Sequence, residues 1–254
     1  MPSREAILTR CGIVPSVGMR LNAALAEAVE RGVAAAPAGS NGLTVLDAGC
    51  GRSSALEAFR PRIARFVGID IHEPAPGSMP YLDDFAVVDV CAANDAFPAG
   101  TFDVALSSFT VEHFAQPVEA FANLGRWLRP GGTLVITTVN KRHPFVAAYL
   151  GAPAPIRHRL QRVIKATAAD AHPIVGICNS PAALRAALTA AGFTDIRVEQ
   201  IGHLARAWGR TWPTFSIGLV GDLFAGPMKS RRSTLLVTAR KPEGGTVAGE
   251  TPGR

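Results

Sequence analysis

Three acids follow short apolar runs at regular intervals: Asp47 in LTVLDAG, Asp70 in RFVGIDI and Asp89 in FAVVDV. The first opens Asp47-Ala48-Gly49-Cys50-Gly51, directly after Thr44-Val45-Leu46. Glycines there permit positive φ and let a ligand lie against bare main chain, which a β-carbon would obstruct. Asp70 closes the second run, and its ionised carboxylate can take two hydrogen bonds from the vicinal hydroxyls of a ribose. Asp89 and Val90 close the third, an acceptor and an apolar surface suited to a purine ring. A bare G-x-G also makes an ordinary strand-to-helix turn, and a lone aspartate is commonly a strand-end cap. The reading rests on their coincidence, because open α/β sheets bind ligands at the carboxyl ends of their strands.

The elements that must position these residues follow from periodicity. Val17, Leu21, Leu25 and Val29 repeat every four residues and predict an amphipathic helix, ended by Gly32 and the turn formers of 37–42. Apolar runs at 43–49, 65–71, 85–90, 102–108 and 133–139 predict five strands separated by helical crossovers, the pattern of a parallel sheet. A helix from Pro117 to Leu128 stops at Pro130-Gly131-Gly132. A helix at 181–191, a strand at 194–201 and a last strand at 233–239 complete the pattern. The expected fold is α/β: a doubly wound, mostly parallel sheet with inserted helical lid segments. Residues 1–241 form a single domain, with an N-terminal helical segment at 1–42, a cofactor-binding core at 43–140, and lid insertions at 141–180 and 202–232 over the carboxyl ends of the strands. The tail at 242–254 lacks apolar residues and is expected to be disordered.

In order, VLDAGCG, GIDI, VDV, FDVALSSFTVEHF and LRPGGTLVITT resemble the class I S-adenosylmethionine-dependent methyltransferases, strongly over residues 43–140 and more loosely in AAGFTDIRVEQ and LLVTARK. The resemblance implies a seven-stranded sheet with an antiparallel last strand, and S-adenosylmethionine as cofactor. It also implies that Asp47, Gly49 and Gly51 surround the methionine portion, that Asp70 holds the ribose and Asp89 and Val90 the adenine, that Cys50 and Ile71 belong to the same cofactor site, and that Ser107 and Ser108 lie beside cofactor and acceptor. Two departures stand out: the stretch from Asp89 to Phe102 is long, and Ser54 stands where many relatives carry glycine or another small residue. A nicotinamide dehydrogenase, the competing reading of the glycine loop, would want a third Gly or Ala at Ser54 and no aspartate before the first glycine. No tyrosine-lysine pair for hydride transfer is visible; the two tyrosines are Tyr81 and Tyr149.

Methyl transfer from a sulfonium is an in-line displacement, so positioning comes first and no metal or covalent intermediate is required. For a hydroxyl acceptor a nearby base helps, and histidine is suited by its pKa. The candidates are His143 after the fifth strand and His113 in the Glu-His pair after the fourth, the latter equally suited to a structural role at a helix start; His172 is less well placed. Residues 156–168 form a basic amphipathic helix, with Ile156, Leu160, Val163 and Ile164 on one face and Arg157, Arg159, Arg162 and Lys165 largely off it. It reads as a solvated lid, or as a contact for an anionic acceptor, a carrier-bound acyl chain or a membrane surface. FSIGLVGDLF at 215–224 is apolar enough to line a pocket, and Trp208 and Trp212 flank Arg210. A small-molecule or lipid-like acceptor methylated at oxygen is expected. A cofactor-binding scaffold without turnover is the alternative from another class.

Composition bounds the rest. Of 254 residues, 48% are hydrophobic and 18% charged, as in an ordinary globular protein. The net charge of +6 is uneven: residues 1–139 carry 10 Lys/Arg against 14 Asp/Glu, whereas residues 140–240 carry 14 against 4. A basic half suits phosphates, but the fourth strand ends in Ser-Ser-Phe-Thr, without the Asn/Asp-Pro-Pro-aromatic motif of base-amino methyltransferases, so nucleic acid is disfavoured. Cys11, Cys50, Cys91 and Cys178 lack metal-ligand spacing and read as reduced thiols. With no signal-peptide core and no run of about 20 apolar residues, the expected location is cytoplasmic or peripheral to a membrane.

Overall fold

A computed structural model describes residues 2–13, 16–37, 39–75, 77–164 and 174–244. Among them, β1 (Leu43–Ala48), β2 (Ile63–Asp70), β3 (Asp84–Val87), β4 (Phe102–Ser108), β5 (Leu128–Val139), β6 (Thr194–Ile201) and β7 (Thr234–Arg240) form one sheet in the order β3-β2-β1-β4-β5-β7-β6. Neighbours are parallel except at β7, which runs antiparallel to both β5 and β6. The central strands are apolar on both faces because both faces are covered. On one side α2 (Val17–Ala35) lays Val17, Leu21, Leu25 and Val29 against Val45, Val104, Leu106 and Val135. On the other, α3 (Pro117–Trp127) and α6 (Pro181–Ala190) bury Phe121, Leu124, Trp127, Leu184 and Leu188 over Leu46, Ala105, Leu134 and Ile136. Each such side chain withdrawn from water contributes roughly 1.5–3 kcal/mol. From β1 the chain builds outward to β2 and β3, then returns across the sheet to β4 on the other side of β1. That reversal opens a crevice above the carboxyl ends of β1 and β4.

Several local expectations need correction. An extra helix, α1 (Arg4–Arg10), precedes α2, capped by the Ser3 hydroxyl on the Ala6 N–H. Gly32 does not end α2, which continues to Ala35; it is a packing glycine, since a Cβ there would stand 2.9 Å from Leu43 Cδ1. The element after the glycine loop is a 3-10 helix, Ala55–Arg62, with Pro61 inside it; proline lacks the N–H that a longer helix would need. Neither 71–83 nor 88–101 holds an α-helix among the described residues, so β2 and β3 are followed by loops, and β3 ends two residues before Asp89. Pro130-Gly131-Gly132 is a bulge inside β5: the pairing steps from Phe102↔Leu128 to Val104↔Thr133.

The first interval holds α4 (Pro144–Gly151) and α5 (Ala154–Ile164), the second α7 (Leu204–Ala207) and α8 (Trp212–Ala225). The α8 segment does not line an enclosed pocket along its whole apolar run, because Ile217, Val220, Leu223 and Phe224 face outward. Trp212 is exposed as well, with the Arg4 guanidinium 4.9 Å from its ring centroid. His172, Lys165 and tail residues 245–254 lie outside the described residues, as do the side chains of Arg162, Val163 and Ile164.

Candidate active site

The loop after β1 is fastened before any ligand arrives. The N–H groups of Gly49 and Cys50 both donate to the Ile69 carbonyl, at 2.8 and 3.1 Å, so the turn is pinned to the end of β2. Gly49 and Gly51 hold φ of +78° and +54°. The Thr110 side chain covers Gly49 so closely that a Cβ would meet its Cγ2 at 2.3 Å, whereas nothing lies within 4 Å of a Cβ placed on Gly51. The turn is therefore closed at one glycine and open at the other. Cys50 contributes only backbone, its side chain being packed inward beside Gly68, where a Cβ would come within 2.9 Å of the sulfur. Burial pushes its thiol up to about 12, so it stays protonated.

Asp47 lies beneath this loop, 2% exposed. Its Oδ1 has no hydrogen-bond partner. Burial drives its pKa up to about 7, against the lowering effect of the Ser54 hydroxyl and with a smaller push from the Asp70 charge. Ser54 also caps the 3-10 helix through the Leu56 N–H at 3.2 Å, which accounts for a hydroxyl at this position. A buried carboxylate oxygen left unpaired is costly and calls for a donor or cation from outside the chain.

Asp70 accepts the Gly51 N–H at 3.1 Å on Oδ2 and the His72 N–H at 3.2 Å on Oδ1, leaving further lone pairs on both oxygens. Ile71, next to it, is 49% exposed, an apolar surface at the edge of the crevice. Asp89 is exposed and folds back to accept the Cys91 N–H at 2.8 Å. Val90 differs from the expected open surface: its side chain joins the core beneath, and its carbonyl accepts from Asn123 Nδ2 at 3.0 Å. At the end of β4 the buried Ser107 hydroxyl has no partner, and Ser108 shares a 2.9 Å hydrogen bond with Thr137. Phe109 follows at φ +53°, uncommon for an aromatic residue.

The histidines separate sharply. His143 is fully buried: its Nδ1 accepts the N–H groups of Phe145 and Val146 at 3.2 and 3.4 Å, capping α4. Those bonds put the ring proton on Nε2, which donates to the Gly221 carbonyl of α8 at 3.2 Å. Burial lowers its pKa despite the nearby Asp222 charge. With both nitrogens engaged and no exposed surface, the ring is a structural link between the two insertions and offers no lone pair to an acceptor, contrary to the expectation of a base. His113 ends a 3-10 turn, Val111–His113, with its N–H on the Thr110 carbonyl. Glu112 beside it is buried and accepts the Thr138 hydroxyl at 2.7 Å; Asn179 Nδ2 donates to the same hydroxyl oxygen at 2.8 Å.

Sequence reading missed Thr110 and His203. His203 follows β6, and its ring stacks on Phe109 with centroids 6.2 Å apart. Its Nδ1 is enclosed without a partner, and burial lowers its pKa. Nothing in the local pattern around His203 signals this, because the contact with Phe109 joins residues almost a hundred positions apart.

A doubly wound sheet with a glycine loop and an orphaned acid at its switch point defines an α/β protein built to take a nucleotide-like cofactor. Residues 20–198 match the family model for the methyltransferase domain, and the chain belongs to that family. It is a class I S-adenosylmethionine-dependent methyltransferase, S-adenosylmethionine being the methyl donor of that family. Nocamycin O-methyltransferase of Saccharothrix syringae is 29% identical over 247 residues, covering 81% of this chain and 88% of that one. The ubiquinone biosynthesis O-methyltransferase of Pseudomonas paraeruginosa is 33% identical over 138 residues, 51% of this chain and 57% of that protein. Among solved structures, the [4+2]-cyclase SpnF shares the fold at 22% identity with a TM-score of 0.54, covering 88% of this chain and 81% of that one.

The residues present fit this cofactor. The orphaned Asp47 oxygen suits a cationic ligand, Gly51 leaves room against the main chain, and Asp70 retains acceptor capacity.

Proposed function

We propose that this chain methylates an oxygen of a small, hydrophobic, lipid-like acceptor in the cytoplasm, with Asp47, Gly49, Cys50 (through its backbone), Gly51, Asp70, Ile71, Asp89 and Val90 forming the cofactor site and Ser107 and Ser108 bordering it. The observation that carries the reading is the buried, unpartnered Oδ1 of Asp47 beneath an open glycine turn. When bound, S-adenosylmethionine supplies a methyl group on a sulfonium. In this reading Asp47 answers the positive charge of the methionine portion, Asp70 accepts from the ribose hydroxyls, and Ile71 gives the adenine an apolar face. Support for an oxygen acceptor comes from the two relatives, both named as O-methyltransferases. Loss of the hydroxyl proton to a neutral imidazole would help such an acceptor react. His203 suits that role better than His143: burial favours its neutral form, and unlike His143 the residue is partly exposed, beside Phe109 at the end of β4. The excess of Lys and Arg in 140–240 favours an acceptor with an acidic end.

Calorimetry on ligand-free protein tests the first half: micromolar binding of both S-adenosylmethionine and S-adenosylhomocysteine is expected, and binding of neither would remove the assignment. Incubation with methyl-labelled cofactor and a solvent extract of the source cells tests the second. Label should enter an extractable, alkali-stable small molecule; label in nucleic acid instead would overturn the acceptor class.

A further inference from the structure

Helix α8 has two distinct faces. Phe215, Gly218, Gly221, Asp222 and Ala225 are buried. Gly218 lies so close to α7 that a Cβ would stand 2.7 Å from Ala205 Cα. On the opposite arc, about 140° wide at 100° per residue, Trp212, Ile217, Val220, Leu223 and Phe224 are exposed, Val220 at 58% and Phe224 at 60%. Isolated apolar residues at a surface are normal, but a continuous apolar helix face is the mark of a binding surface. The other exposed residues on that arc, Pro213 and Ser216, are uncharged. Cations bracket it: Arg210 precedes the helix, and Lys229 and Arg231 follow it, all exposed. The acid of segment 202–232, Asp222, does not offset Lys229 and Arg231 at the surface. It is buried, taking the N–H groups of Leu204 and Ala205 and the Ser233 hydroxyl.

We propose that this face of α8 seats in the interface of an anionic lipid bilayer. An apolar arc with cations at both ends matches the acyl-headgroup boundary and its negative charge. A second copy of the chain fits less well, because isologous pairing would bring the same basic rims of two +6 molecules together. No helix among the described residues is long and apolar enough to cross a membrane, so α8 would lie in the interface plane. Its buried side holds the Gly221 carbonyl that receives His143, so the bilayer would border the insertions flanking the crevice. The inference goes beyond the proposed reaction and does not depend on it.

Co-sedimentation with vesicles of phosphatidylcholine alone, or of equal phosphatidylcholine and phosphatidylglycerol, tests it directly. The full chain should pellet with the anionic vesicles at low salt and remain in solution with the neutral ones. Ile217→Ser combined with Phe224→Ser should weaken partition about tenfold or more, and Lys229→Gln combined with Arg231→Gln about fivefold for each cation removed. Both double variants should keep the unfolding temperature and the cofactor affinity of the parent, since the changed side chains lie at the surface. Parent protein left in solution with anionic vesicles would overturn the proposal, as would undiminished binding by the apolar variant. A concentration-dependent dimer abolished by the Ile217/Phe224 changes, without vesicle binding, would assign the face to a second copy instead. In each case cofactor calorimetry remains a separate readout, so failure here leaves the methyltransferase assignment standing.

Discussion

At the carboxyl ends of β1 and β2, backbone bonds fix the loop while one buried carboxylate oxygen, Asp47 Oδ1, is left unpaired. Across the sheet, where the insertions after β5 and β6 meet, His143 is equally buried but has both ring nitrogens engaged. Both are titratable groups enclosed near the same edge, yet they imply opposite things. A buried group whose bonds are complete holds elements together; a buried carboxylate oxygen left without a bond, beneath an open turn, is a candidate for a ligand contact.

The sharpest way to break that contrast is at Asp47. Its pKa is raised from 3.8 to about 7, so between those values the folded chain holds a proton that the unfolded chain has lost. Stability of the ligand-free protein should therefore fall as pH rises from about 4 to about 7 and then level off, a contribution of order 4 kcal/mol. Denaturant unfolding across that range should show the slope, and Asp47→Asn should remove most of it. The same variant should bind S-adenosylmethionine about a hundredfold more weakly, the loss expected for a charged hydrogen bond in a buried site. A variant with parental cofactor affinity would show that the unpaired oxygen is not the ligand's partner.

At His143 the expected effect is smaller and of the other kind. Replacing it by alanine removes the α4 cap and the bond to Gly221, and should cost about 2–3 kcal/mol in chemical unfolding. Cofactor affinity in calorimetry should stay within about twofold of the parent. Parental stability combined with a lost methylation rate would restore His143 as a base.

How far these roles were legible depended on the range of the interactions involved. The strands flanking Asp47, Asp70 and Ser107 could be read because apolar runs in a doubly covered sheet are local and continuous. β4 and β6 occur at the expected residues, 102–108 and 194–201. The 3-10 helix after the glycine loop was less legible, because its form depends on Pro61 and on Ser54 reaching Asp47. The role of His143 was hidden because one of its partners is the Gly221 carbonyl, 78 residues away. Likewise, the apolar run at 215–224 showed that the segment must bury something, but not that it forms a helix nor which side of it would remain exposed. Gly218 and Gly221 decide that by letting one side approach α7 and α4.

The two glycines of the turn give the finest test, because both need left-handed backbone but only one is covered. Alanine at φ +54° costs about 1 kcal/mol from backbone strain alone. Gly51→Ala should lose no more than that, since nothing lies within 4 Å of the added methyl group. Gly49→Ala pays the same strain and also overlaps Thr110, whose hydroxyl donates to the Gly49 carbonyl at 3.2 Å, so Thr110 must move away or the turn must deform. Its cost should exceed that of Gly51→Ala by about 1–2 kcal/mol in urea unfolding. Cofactor affinity should respond in the reverse sense relative to stability: Gly51→Ala, nearly silent in unfolding, should still weaken binding, because its methyl group enters the open space beside the turn. Equal stability losses would mean that Thr110 yields freely. Parental affinity in Gly51→Ala would place the ligand away from this glycine.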